Sequence, residues 1–124
     1  MFGLLIDQFK YFVKSRNLAK SSDKYVILTS HHPLEKIFND YAPEGVPTPA
    51  VRKEIQELLF QYKNIILWVC GHNHQNFINQ IKREDGSHAF WHIRTASHID
   101  WPQQSRVIEI AREGSEILIG TTIV

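Results

Sequence analysis

The sequence predicts an α/β fold, with one βαβ unit followed by a mixed or antiparallel set of short strands. Two β-branched apolar runs carry that expectation, Tyr25-Val26-Ile27-Leu28-Thr29 and Ile65-Ile66-Leu67-Trp68-Val69-Cys70. Continuous runs of this kind read as strands buried on both faces of a parallel sheet. A helical pattern lies between them, and beyond Asn76 the runs become shorter and are separated by turn residues.

Taken in order, Leu5, Phe9, Phe12 and Val13 recur at helical spacing with Lys10, Lys14 and Arg16 opposite them. This predicts an amphipathic helix from Leu4 to about Asn17, broken by Ser21-Ser22-Asp23. The first strand, Tyr25 to Thr29, runs into Ser30-His31-His32-Pro33. Four of the five prolines fall between Pro33 and Pro49, with Phe38 and Tyr41 among them, so this stretch reads as a long ordered loop over a site. Thr48 is placed as the N-cap and Pro49 at the first position of a second helix, whose inner face is Val51, Ile55, Leu58, Leu59 and Tyr62 and which ends near Asn64. The second strand, Ile65 to Cys70, follows. A strand, loop, helix, strand order makes the two strands parallel and puts the loops that leave them on one edge. The remaining strands are Phe77 to Lys82 and Ala89 to Arg94 around Glu84-Asp85-Gly86-Ser87, then Arg106 to Ala111 and Ile117 to Thr122 around Glu113-Gly114.

The 124 residues suffice for a single domain, residues 1–124, that buries a core. Fourteen basic against thirteen acidic residues, with no run of either sign, leave no electrostatic footprint for nucleic acid or an anionic membrane. The apolar start, Met1 to Ile6, is interrupted by Asp7, Gln8 and Lys10, too early for a membrane span. The single cysteine, Cys70, reads as a buried apolar residue, and its lack of a disulfide partner suits a reducing, cytoplasmic compartment. Trp91 and Trp101 read as core aromatics, and His92 in its alternating strand and His88 in its turn both read as structural or solvated.

The chemistry lies in the histidines. Four of the seven follow the two buried runs, His31 and His32 after the first, His72 and His74 after the second. Ligand sites of open α/β sheets sit at such strand ends, and neutral imidazole is the commonest ligand for a catalytic transition metal. In Gly71-His72-Asn73-His74, extended backbone would point both rings to one side, with Gly71 letting the main chain approach, so each ring could serve a different ion of a metal pair. His98, in Ser97-His98-Ile99-Asp100, is either an accessory group near the pocket or a loop histidine locked by Asp100. The complementary carboxylates are not in evidence, because none of the five aspartates lies two residues before a histidine or follows a glycine.

At His31-His32-Pro33 and Gly71-His72-Asn73-His74 the chain resembles the C-terminal half of the calcineurin-like metallophosphoesterase superfamily, which carries His-x-Pro and Gly-His-x-His loops at strand ends. Gln8-Phe9-Lys10-Tyr11-Phe12 is similar to that family's helix before the His-x-Pro strand, and the segment from Phe90 to Gln104 is similar to one uncharacterised bacterial subgroup.

The resemblance implies half of an αββα sandwich and a metal-dependent phosphoester hydrolase that uses metal-bound hydroxide as nucleophile. It makes His31 and His72 ligands of one ion and His74 a ligand of another, leaving His32 and Asn73 on the substrate side. The cofactors implied are two divalent transition metal ions, manganese, iron or zinc. The family's Asp-x-His, Gly-Asp and Gly-Asn-His motifs do not occur in this sequence, so no catalytic acid is identified and the chain alone is expected to bind metal weakly and turn over poorly or not at all. A bare sheet face implies a homo-oligomer or docking on a separate N-terminal half. The alternatives are a non-catalytic interaction or regulatory module with relic ligands, and a mononuclear zinc site completed by His98 or a second subunit.

Overall fold

A computed structural model describes residues 24–37 and 52–124. The expected helix from Leu4 to Asn17, the Thr48 cap and most of the proline-rich loop lie outside the described residues. Among the described residues, strands β1 (Val26–Ser30), β2 (Ile65–Cys70), β3 (Phe77–Lys82) and β4 (Ala89–Arg94) form a mixed four-stranded sheet in the order β1-β2-β4-β3. Strands β5 (Arg106–Glu113) and β6 (Glu116–Ile123) form a separate antiparallel pair. A short 3-10 helix, Leu34–Lys36, follows β1, and helix α1, Arg52–Leu59, precedes β2. The fold is therefore α/β with few helices, and none of those described is long and apolar enough to cross a membrane.

Strand β2 is central, and its composition explains why. It pairs in parallel with β1 on one side and β4 on the other, and Ile65, Leu67, Trp68 and Cys70 are all buried. Only a strand covered on both faces tolerates so continuous an apolar run. One sheet face packs Trp68, Phe90 and Ile81 against Ile55 and Leu59 of α1, Leu34 of the 3-10 helix, and Phe60 and Tyr62. On the other face Ile27, Leu67 and Trp91 are cross-strand neighbours, and Ile27 and Trp91 are 47% and 40% exposed on either side of buried Leu67.

Several expectations are corrected. The second helix stops at Leu59, short of Asn64, because the bonds Gln61 N–H to Leu58 C=O and Tyr62 N–H to Leu59 C=O tighten the chain into a turn. That turn drives Phe60 and Tyr62 into the core and delivers Ile65 to β2. Trp91 and Trp101 are both exposed rather than core, Trp101 at 90%. His88 takes the structural of its two expected roles, half-buried and edge-on to Phe60 at 6.1 Å just before β4.

The buried polar residue His92, 1% exposed, is held by its partners on two strands. Its Nε2 lies 3.3 Å from Cys70 Sγ and its Nδ1 lies 3.3 Å from Asn79 Oδ1. Burial, then Glu35, push the Cys70 thiol up to about 12 against the opposing pull of Arg94, so it stays protonated, with the Ile93 C=O 3.7 Å away as an acceptor. Burial lowers the pKa of His92 below its ordinary value, with Glu35 opposing and Arg94 adding, and burial lowers that of His88 as well.

A pH dependence follows. The unfolded chain takes up these protons near pH 6.5, whereas the folded chain resists them until its lowered pKa values are reached. Stability is expected to be complete above about pH 7 and to fall as the pH drops through roughly 6.5, before any carboxylate titrates. Urea midpoints measured from pH 7.5 to 5 test this, and a flat or rising midpoint on acidification would contradict it.

Candidate metal centre

Strands β1, β2 and β4 are mutually parallel, so the loops leaving their carboxyl ends share one edge of the sheet. The first two carry the histidine loops. They are pinned together by the Gly71 N–H donating to the His31 C=O at 3.0 Å, and the third is pinned by the Thr95 N–H donating to the Cys70 C=O at 2.9 Å.

A hydroxyl relay fixes the first loop from below. The indole N–H of Trp68 donates to Ser30 Oγ at 2.8 Å, and Ser30 Oγ donates to the His32 C=O at 2.7 Å. Glu35, just past the loop, meets Arg94 at the end of β4 at 2.8 Å, and the Arg94 guanidinium lies 4.4 Å over the Phe77 ring. The turn that carries His31 and His32 is thus tied to both β2 and β4.

Among the described residues, His31, His32 and His72 form a group in which one ring nitrogen from each lies within 4.8 Å of those of the other two. His31 Nε2 and His72 Nδ1 are 3.2 Å apart, and the His32 ring centroid is 4.9 Å from that of His31 and 4.3 Å from that of His72. His31 and His72 are exposed and His32 is half-buried. Burial chiefly, and the neighbouring rings of His72 and His31 after it, hold the pKa of His32 below its usual value. Its ring therefore stays neutral, the form that binds a cation.

The second loop differs from the extended geometry expected of it. His72 and His74 have φ of 71° and 53°, in the left-handed region, and the Asn73 N–H donates to the Gly71 C=O at 2.9 Å in a tight turn. The close approach expected to require Gly71 makes no such demand, because a Cβ there would meet only the His31 carbonyl oxygen at 3.9 Å. The unusual backbone falls on the histidines themselves. A non-glycine residue seldom adopts positive φ, and such strain gathers at functional sites.

As a result His74 is turned away from the other three rings in its contacts and meets Asp100, Nδ1 to Oδ2, at 3.3 Å. Asp100 does not lock His98, whose Nδ1 instead pairs with Ser105 Oγ at 3.0 Å. The loop bearing both is anchored by Asn76. Its Oδ1 accepts from the Ala96 N–H and from Arg106, and its Nδ2 donates to Gln104.

Sequence reasoning brings His31, His32, His72 and His74 to one edge, with His32 on the substrate side rather than as a ligand, and leaves out Asp100 as the partner of His74. The sequence already offers the loop after Ala89 to Arg94 as a neighbour of the pocket through His98, but reads Asp100 there only as a lock on that histidine. No protein-family model matches the chain, and no curated protein matches it.

Proposed function

We propose that this chain is the C-terminal part of a metal-dependent phosphoester hydrolase, with a divalent transition ion held by His31, His32 and His72. What carries the reading is the 3.2 Å approach of His31 Nε2 and His72 Nδ1 from two separate loops, with the neutral ring of His32 beside them. The donor set fits such an ion. Imidazole nitrogen suits zinc, iron and manganese, and three protein ligands with an open position are the usual number at a catalytic zinc. A cation held there supplies Lewis acidity toward water and toward phosphoryl oxygens.

The protein's own groups divide the remaining work. His31, His32 and His72 bind, the Trp68–Ser30 relay and the Glu35–Arg94 pair hold the first loop in place, and Asn73 stands between the two histidines of the second. The half-sandwich of the resembling family, a cytoplasmic location, and a second copy or a separate N-terminal half as partner belong to the same reading. The missing Asp-x-His, Gly-Asp and Gly-Asn-His motifs favour a second reading, an interaction module that keeps the ligands without turnover.

Calorimetric titration with zinc, cobalt and manganese tests the site. Wild type is expected to bind, with affinity falling as the pH drops below about 6.5 where imidazole protonates. The His31→Ala variant, which retains the backbone carbonyl that Gly71 uses, is expected to lose that binding. No binding by wild type ends the proposal. Binding without hydrolysis of an aryl phosphate, even with an N-terminal half supplied, moves the assignment to the module.

A further inference from the structure

We propose that Asp100 is a metal ligand, and that its Oδ2 together with Nδ1 of His74 holds a second divalent cation beside the three-imidazole site. This rests on the metal-binding reading above and adds the carboxylate that no upstream motif supplies.

The argument begins with a distance. Two atoms bonded to one tetrahedral ion at about 2.0–2.1 Å stand roughly 3.3–3.4 Å apart, since ligands occupy the corners of a tetrahedron. His74 Nδ1 and Asp100 Oδ2 stand 3.3 Å apart. A charge-assisted N–H···O hydrogen bond is shorter, about 2.7–2.9 Å. The pair's spacing thus matches that of two ligands on one ion and is longer than an optimal charge-assisted hydrogen bond. The side chains are 46% and 57% exposed, which leaves room for water to complete the coordination shell. One imidazole and one carboxylate suit zinc, iron or manganese.

Both groups are held in place before any ion arrives. His74 sits at φ 53°, in the left-handed region that non-glycine residues seldom occupy. Asp100 is oriented from its own loop, its N–H donating to Ser97 Oγ at 3.1 Å while that hydroxyl donates to Oδ2 at 3.4 Å. Gln103 Nε2 closes the loop on the Ile99 C=O at 3.1 Å. The Asn76 clamp then joins this loop to the chain leaving His74.

Charge supplies an independent reason for a carboxylate here. His74 lies two residues beyond His72, so their Cα atoms are at most about 7 Å apart and the two sites belong to one loop. Three neutral imidazoles contribute nothing against the repulsion of two dications, whereas Asp100 contributes one negative charge to the pair.

The test is stoichiometry read by calorimetry, with cobalt as a second, spectroscopic probe, on wild type, Asp100→Asn, His74→Asn and His31→Ala. Asparagine is chosen at position 74 because it tolerates positive φ. Wild type is expected to bind two ions. Asp100→Asn and His74→Asn are each expected to weaken one event by at least about tenfold and leave the other within about twofold, a loss typical of a removed metal contact. His31→Ala is expected to remove the complementary event. Two unchanged events in Asp100→Asn would overturn the proposal and leave the three-histidine site standing. No event in any protein would overturn both. Anomalous scattering from manganese-soaked crystals separates ligation from mere orientation. An ion within bonding distance of Oδ2 supports the proposal, and an ion on Nε2 of His74 with the carboxylate turned away from it overturns it.

Discussion

Replacing His72 by glycine is expected to leave the protein as stable as before, or up to about 1 kcal/mol more stable, because the left-handed backbone costs a non-glycine residue roughly 1–2 kcal/mol and glycine's own entropy loss recovers only part of that. The same change is expected to weaken binding of a divalent cation at the three-imidazole site by at least about 100-fold, since removing even an outer partner of a metal ligand costs up to that much. The two effects have opposite signs. A histidine kept at φ 71° for packing alone would give up stability when removed, whereas one kept for an ion gives up only the ion. Urea midpoints and zinc titrations of the purified variant decide between these. Lower stability with unchanged affinity would contradict the strain argument and the ligand assignment together.

Phe90→Ala is expected to lower stability by about 3–5 kcal/mol, the range for emptying a phenylalanine site in a packed core. Phe90 is 1% exposed and pairs across the strands with Ile81. Its ring sits 5.9 Å from that of Phe60, which follows directly on α1. A domain of this size holds only about 5–15 kcal/mol in all, so the loss is a large share of it. Denaturant unfolding monitored by far-UV circular dichroism measures it. A change under about 1 kcal/mol would mean that the cavity collapses fully or that the contact is not part of the core.

What the sequence revealed depended on how local the signal was. The run Ile65 to Cys70 marked β2 to the residue because its burial on both faces leaves no alternation to misread. Asp85-Gly86 located the β3–β4 turn because Gly86 adopts the positive φ, 70°, that such a turn needs. The end of α1 was misplaced because its helical spacing continues through Tyr62 in sequence while the backbone has already tightened. At the site, the two histidine loops were legible as punctuation after buried strands. Three features were not. The left-handed turn at His72 and His74 has no signature in the string His-Asn-His, the Trp68–Ser30 relay joins residues 38 apart, and Asp100 reaches His74 only through a sheet order that runs from β2 to β4. Each is a product of tertiary placement, which periodicity does not encode.

The bond from the Gly71 amide to the His31 carbonyl ties the two histidine loops to the zipper between β1 and β2. Peeling the edge strand away would carry one imidazole from the others, so an ion that grips all three must oppose the peeling by its own binding free energy. On the proposed reading, occupancy and strand attachment would be one equilibrium observed from two ends, and the ambient level of free metal would set how firmly this edge of the molecule stays closed.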